Sequence, residues 1–112
     1  MANVFEDIIK GKIPCDKVFE NERILAFRDI APQAPVHILI IPKKPIKNLA
    51  EVSQADMALL GEIVFVAKQI AQKEGILDGF RLISNSGPDS GQLVPHLHFH
   101  LLGGRRLLDT LG

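Results

Sequence analysis

The sequence predicts an α+β domain with an antiparallel sheet of about five strands, one short helix and one long helix. Three observations lead there. Five runs are strand-sized and rich in β-branched or alternating apolar residues. One stretch, from Ser53 to about Glu74, repeats apolar residues at helical spacing. The order is helix, strands, long helix, strands, which suits a mostly antiparallel sheet with helices on one side.

Val4-Phe5-Glu6-Asp7-Ile8-Ile9-Lys10 carries apolar residues at helical spacing, and Gly11 is a natural stop. Asp16 to Glu20 and Arg23 to Arg28 form a hairpin around Asn21-Glu22. Asp29 to Pro35 is a loop, because its two prolines would break a ladder. Val36 to Ile41 is a buried strand, closed by Pro42-Lys43-Lys44-Pro45. The long helix starts at Ser53 as N-cap, with Asp56 suited to its positive end. Its apolar stripe is Met57, Leu60, Val64, Ala67 and Ala71, widened by Leu59, Ile63 and Ile70, and Gly75 ends it. Phe80 to Ser84 is a strand, Asn85 to Gly91 a loop, and Leu97 to Leu102 the last strand before Gly103-Gly104.

The 112 residues suit one domain spanning 1–112. Lys plus Arg equals Asp plus Glu at 13 each, so no overall basic field draws nucleic acid. Cys15 is the only cysteine, which excludes an intrachain disulfide and a multi-cysteine zinc site and fits a reducing cytoplasm. The N-terminal stretch from Met1 to Asp7 does not read as a secretory signal, and no run is long and apolar enough for a membrane span.

The strongest pattern is His96-Leu97-His98-Phe99-His100. On a strand, alternate side chains share a face, so the three imidazoles align about 7 Å apart while Leu97, Phe99 and Leu101 face a core. Three readings are open: an ordinary polar face, a metal site completed by His37 or Asp89, and nucleophilic or acid–base catalysis. The loop Asn85-Ser86-Gly87-Pro88-Asp89-Ser90-Gly91-Gln92 precedes the histidines. Its glycines let backbone N–H groups approach an anion, and Asn85 and Gln92 can add donors, which favours phosphate chemistry.

These residues resemble the histidine triad (HIT) family, whose pattern His-x-His-x-His-x-x is matched by His96 to Leu102. Phe27 to Lys44 is similar to a first family block, Asn85 to Gln92 to the block before the triad, and Gly103-Gly104-Arg105 to the segment after it. The branch most resembled is the Hint-type nucleoside phosphoramidate hydrolases. The resemblance implies a purine nucleoside 5′-phosphoramidate hydrolase acting on AMP or GMP derivatives, with a covalent nucleotidyl-histidine intermediate. Alternatives are a nucleotide-binding regulatory protein and a dinucleoside polyphosphate hydrolase. By this resemblance His98 is the nucleophile, His100 contacts phosphate, and His96 and His37 support and orient the nucleophile. Gln92 and the backbone at Leu93 and Val94, with Asn85 and Gly91 in the same loop, would hold the phosphoryl oxygens. Asp29 would accept from the ribose hydroxyls, and Val4, Phe5, Ile8, Phe27, Arg28 and Ile30 would border the base. The family also implies a homodimer whose sheet continues across the two-fold axis.

The chain departs from family patterns in three places. Asn3-Val4-Phe5-Glu6 stands where some members carry a Cys-x-x-Cys for structural zinc, so no metal and no cofactor are expected. Leu93 stands where relatives often have a serine near the leaving group, and leucine cannot donate a hydrogen bond. Few residues come after Arg105-Arg106, and none is aromatic, where relatives carry a longer tail that influences amine choice.

Overall fold

The computed structural model describes residues 3–112; Met1 and Ala2, at the start of the N-terminal stretch, lie outside the described residues. The elements are α1 (Val4–Ile9), β1 (Lys17–Glu20), β2 (Ile24–Arg28), β3 (Val36–Pro42), α2 (Met57–Lys73), β4 (Phe80–Ile83) and β5 (Phe99–Gly103). The five strands form one sheet in the order β1-β2-β3-β5-β4, and every neighbouring pair is antiparallel. The expected α+β class, five strands and both helices are present.

Each strand sends alternate residues to opposite faces. Ile24 and Ala26 of β2, Ile38 and Ile40 of β3, and Leu101 of β5 pack against Ile63, Val66, Ala67, Ile70 and Ala71 of α2. Leu25, Phe27, Leu39 and Ile41 face the other way and are covered by Phe5 of α1. The two helices therefore lie on opposite faces, not on one side as the element order suggested. A six-residue helix can bury little more than one large side chain, and Phe5 goes to the face α2 leaves open. Asn3 caps α1 by accepting the Glu6 N–H at 2.9 Å.

The long helix departs from expectation in two ways. Residues Gln54–Asp56 form a 3-10 turn before α2 begins at Met57. The Asp56 carboxylate accepts the Ser53 backbone N–H at 2.9 Å and binds the Lys44 ammonium. Of the expected stripe Ile63, Ala67, Ile70 and Ala71 are buried, joined by Val66, whereas Met57 and Val64 are exposed, with Phe65 beside them. The helix is apolar around more of its girth than the sheet can cover, and the side carrying Ile63, Val66 and Ile70 took the sheet.

At the far end, β5 starts at Phe99 rather than Leu97. Pro95 has no N–H to give, and the next two N–H groups leave the ladder: His96 donates to Val94 O at 2.8 Å and Leu97 to Ile46 O at 2.7 Å. β5 ends on Gly103, where an added Cβ would lie 2.6 Å from Ile76 Cδ1, so glycine lets the strand pass under the segment after α2.

Candidate active site

A cleft of about 390 Å³ opens on the sheet face that α2 does not cover. Its apolar wall is Val4, Phe5 and Ile8 of α1 with Phe27 of β2. Asp29 and Ile30, just after β2, form one side, and Asn85, Gly91, Leu93 and Val94 the other. His98 and His100 complete it. The register brings Phe27, Leu39 and His100 into one cross-strand row, which sets an imidazole beside the apolar wall. Gly91, at φ +91°, makes the left-handed turn that returns the chain toward His98.

The histidines are wired by hydrogen bonds that fix where their protons sit. His98 Nδ1 lies 2.8 Å from the carbonyl of His96. A carbonyl only accepts, so Nδ1 carries the proton and Nε2 keeps its lone pair. The Gln33 backbone N–H donates to His37 Nδ1 at 3.0 Å, so the His37 proton is on Nε2. That nitrogen lies 2.9 Å from His100 Nδ1, which must accept, leaving His100 with a proton on its own Nε2. His96 Nε2 donates to the Pro42 carbonyl at 2.8 Å. One imidazole in the cleft thus presents a lone pair, and its neighbour, 5.1 Å away between ring centres, presents an N–H.

Burial pushes the His37 and His98 imidazoles below their ordinary range. His100 is pushed down to about 4, first by burial, then by His98 and His37. All three are neutral near pH 7, as the wiring requires. The structure brings His98, His100 and His37 together as the sequence suggested. His96 is not in the cleft: it is 1% exposed and packs edge-on against Phe5, with ring centres 6.3 Å apart.

Asp29, His37 and His100 offer ligand atoms within 4.8 Å of one another, the spacing a metal ion needs. The wiring argues against one. A metal at His37 Nε2 would need the lone pair there, yet Nδ1 already uses its own to accept from Gln33, so the ring would have to be an imidazolate. Asp89, the other acid in reach by sequence, sits in the exposed 3-10 turn Pro88–Ser90.

The HIT domain pattern matches residues 10–107. The chain belongs to the HIT family. It is 55% identical over 104 residues to an uncharacterised HIT-like protein of Synechococcus elongatus, covering 93% of this chain and 91% of that one. It is 44% identical over 106 residues to an adenylylsulfatase HINT1 of Arabidopsis thaliana, covering 93% and 72%. The crystal structure of a HIT family hydrolase from Legionella pneumophila superposes with a TM-score of 0.97 at 48% identity, covering 99% of this chain and 100% of that one.

Two residues of this HIT domain are placed differently from expectation. Gln92 does not face the cleft. Its Oε1 accepts from Gly87 N–H at 2.8 Å and Asn48 Nδ2 at 3.2 Å, and its Nε2 donates to the Lys47 and Val94 carbonyls at 2.8 and 3.0 Å. Nothing of its amide remains for a phosphoryl oxygen; the side chain staples the loop to the segment before α2. Arg28 borders the cleft, but its guanidinium grips Glu74 with two bonds of 2.9 and 3.0 Å at the end of α2. Phe27 points into the cleft, so Arg28, one residue on, turns to the helix side.

Sequence reasoning missed several HIT-domain residues. Ile13, Pro14, Cys15 and Leu39 also line the cleft. The first three sit in a turn without periodicity; Leu39 could have been found by extending the alternation of β3 from His37. Asn48, which holds Gln92, and Ser84, whose hydroxyl donates to the His98 carbonyl at 2.8 Å, are long-range partners with no local signal.

Proposed function

We propose that this chain is a Hint-type hydrolase of purine nucleoside 5′-phosphoramidates, acting through a nucleotidyl group carried on His98. The observation that carries the reading is the bare Nε2 of His98, held by the His96 carbonyl at the side of a cleft that pairs an apolar wall with one carboxylate. The base lies against Val4, Phe5, Ile8, Phe27 and Ile30. Asp29, whose Oδ1 accepts the Ala31 N–H at 2.8 Å, turns its remaining lone pairs to the ribose hydroxyls.

In the first step the His98 Nε2 lone pair attacks the α-phosphorus. The Nε2–P bond forms, the P–N bond breaks, and the amine leaves with a proton taken from water at the cleft mouth. The His100 Nε2–H and backbone N–H groups near Leu93 and Val94 donate to the phosphoryl oxygens as charge builds on them. In the second step water attacks phosphorus, the Nε2–P bond breaks, its electron pair returns to His98, and the proton the attacking water sheds neutralises the hydroxide left by the first step. The products are the nucleoside monophosphate and the amine. His37 acts on His100, and His96 acts on His98 through its carbonyl.

The similarity to an Arabidopsis adenylylsulfatase favours a second substrate for the same displacement, an adenylyl–sulfate anhydride. Among the described residues Arg28 is the sole Lys or Arg bordering the cleft and is engaged by Glu74, so no free cation among them meets a departing sulfate. The cleft therefore accommodates a departing amine better than a departing sulfate.

Substitution His98→Ala tests the reading. Loss of phosphoramidate hydrolysis by about three orders of magnitude or more is expected from removing a covalent nucleophile, together with loss of the acid-labile label that wild-type protein takes up from radiolabelled substrate. An undiminished rate sinks the mechanism and leaves a nucleotide-binding module. Faster turnover of a dinucleoside polyphosphate than of the phosphoramidate moves the chain to that neighbouring activity. We also infer a homodimer, because Met57, Val64 and Phe65 leave an apolar face of α2 in water.

A further inference from the structure

Consecutive residues at the end of β4 hold the two imidazoles that face the cleft. Ile83, the last residue of β4, lies opposite His100 in the β4–β5 register. Ser84 follows, and its hydroxyl donates to the carbonyl of His98 at 2.8 Å. The pairing with His100 is made by main chains. The bond to His98 needs a side-chain donor at this one position.

His98 stands one residue outside the ladder, because β5 begins at Phe99. The segment before it is turned away from regular pairing, with the His96 N–H on Val94 O and the Leu97 N–H on Ile46 O. The ring is oriented by the His96 carbonyl at Nδ1 and by Phe5, which meets it edge-on at 5.0 Å between ring centres. The Ser84 bond does something else: it ties the His98 main chain to the strand that pairs with His100.

If His98 displaces the leaving group as proposed, that tie bears on the reaction. The His98 Nε2 lone pair must meet phosphorus while the His100 Nε2–H meets a phosphoryl oxygen, from rings 5.1 Å apart between centres. A misplacement of about 1 Å can cost about a hundredfold in rate.

We infer that Ser84 is a positioning residue for the displacement on His98. Its hydroxyl holds the His98 carbonyl and so sets the spacing between the attacking lone pair and the His100 N–H. Ser84 acts through His98 alone: its neighbour Asn85 lines the cleft and Ser84 does not. Its removal therefore slows the transfer step and leaves nucleotide binding in place.

The decisive comparison is Ser84→Thr against Ser84→Val, two β-branched side chains of one shape that differ by a hydroxyl against a methyl. Ser84→Ala is measured beside them. The readouts are the single-turnover rate of nucleotidyl transfer to His98 and the dissociation constant of AMP. Ser84→Val and Ser84→Ala should slow transfer by about tenfold, while Ser84→Thr stays within about threefold of the wild type. AMP affinity should change by less than about twofold in all three, since an interaction that serves the transition state leaves ground-state binding alone. Equal transfer rates in Ser84→Thr and Ser84→Val overturn the inference. A loss of AMP affinity matching the loss of rate also overturns it, because the whole cleft would then have moved. Should a β-branched variant fail to fold, Ser84→Ala against the wild type is read by the same two criteria. His98→Ala separates this failure from that of the mechanism. Turnover that persists in His98→Ala shows the displacement itself to be wrong; turnover lost there, with Ser84→Thr and Ser84→Val equal, shows that only the role of Ser84 is.

Discussion

The backbone N–H of Gln33 donates to Nδ1 of His37 at 3.0 Å. This contact orders the protons of two rings, because His37 must then carry its proton on Nε2 and pass the acceptor role to His100 Nδ1 at 2.9 Å. The loop bearing Gln33 is held on its other side by Arg105, which donates to the Gln33 carbonyl at 2.9 Å. A main-chain amide thus dictates which nitrogen of His100 presents a proton to the cleft.

Replacing that amide tests its role. Gln33→Pro removes the N–H, and Gln33→Ala keeps it while removing the side chain. In nitrogen-15 spectra the wild type and Gln33→Ala are expected to show His37 and His100 as Nε2–H tautomers and His98 as Nδ1–H. Gln33→Pro should show His37 mixed between tautomers and a fall in kcat of roughly tenfold, less than direct loss of an oxyanion donor. Identical spectra in Gln33→Pro would show that the amide does not set the tautomer.

The depressed imidazoles make a pH prediction with a definite sign. His100 lies at about 4, and His37 and His98 lie below their ordinary range, burial being the first cause in each. Asp29 opposes the shift in all three. Between about pH 6.5 and 4 the unfolded chain binds protons that the folded rings refuse, so stability is complete above that window and falls as pH drops through it. The lowered carboxyls of Asp56, Glu62 and Glu74 act in the same direction but at more acid pH. The urea midpoint should therefore be lower at about pH 5 than at about pH 7, and His100→Asn should shrink that difference. Activity should hold below about pH 6.5, because His98 keeps its lone pair there. An acid limb of kcat centred at or above about pH 6.5 would contradict the burial of His98.

Whatever depends on local period could be read from the sequence. The β-branched run Val36 to Ile41 announced a buried strand without assigning its faces, while alternation in the last strand separated His100 from Leu101, which packs against α2. The triad was legible for that reason, although Pro95 keeps His96 and His98 off the strand itself. Long-range choices were not legible. Whether α2 turns Val64 or Val66 to the sheet depends on which row fits Ile38 and Ile40 better, and both rows are apolar. Gln92 looks like an anion donor because its neighbours are glycines and serines. Its actual partners, Asn48 and Lys47, lie 44 and 45 residues away in sequence. Arg28 reads as a cleft residue when it is grouped with the loop after β2, whereas strand parity turns its side chain to the helix.

The Gln92 staple makes a separable prediction. Its amide satisfies two donors and two carbonyls, so Gln92→Ala strips four hydrogen bonds from the loop that lines the cleft. A loss of about 1–3 kcal/mol in unfolding free energy is expected, with faster amide exchange at Gly87. Gln92→Glu should be worse, because a carboxylate oxygen would face the Lys47 and Val94 carbonyls in place of a donor. KM should rise more than kcat falls if the loop holds phosphate through its backbone. Unchanged Gly87 exchange in Gln92→Ala would mean that the loop is held by other contacts.

The outer face of α2 makes the last prediction. Met57, Val64 and Phe65 fall at i, i+7 and i+8, on one side of the helix and away from the row that packs on the sheet. Lys68 lies 5.7 Å from the Phe65 ring centre and covers only part of it. A second copy of the chain bearing the same patch is the natural cover, since a two-fold interface sets a surface against itself. Sedimentation at micromolar concentration should give twice the mass of one chain. Val64→Glu should shift it to the monomer, because two carboxylates would meet across the axis without partners. A wild-type monomer would overturn the dimer, and a Val64→Glu dimer would move the interface to another face.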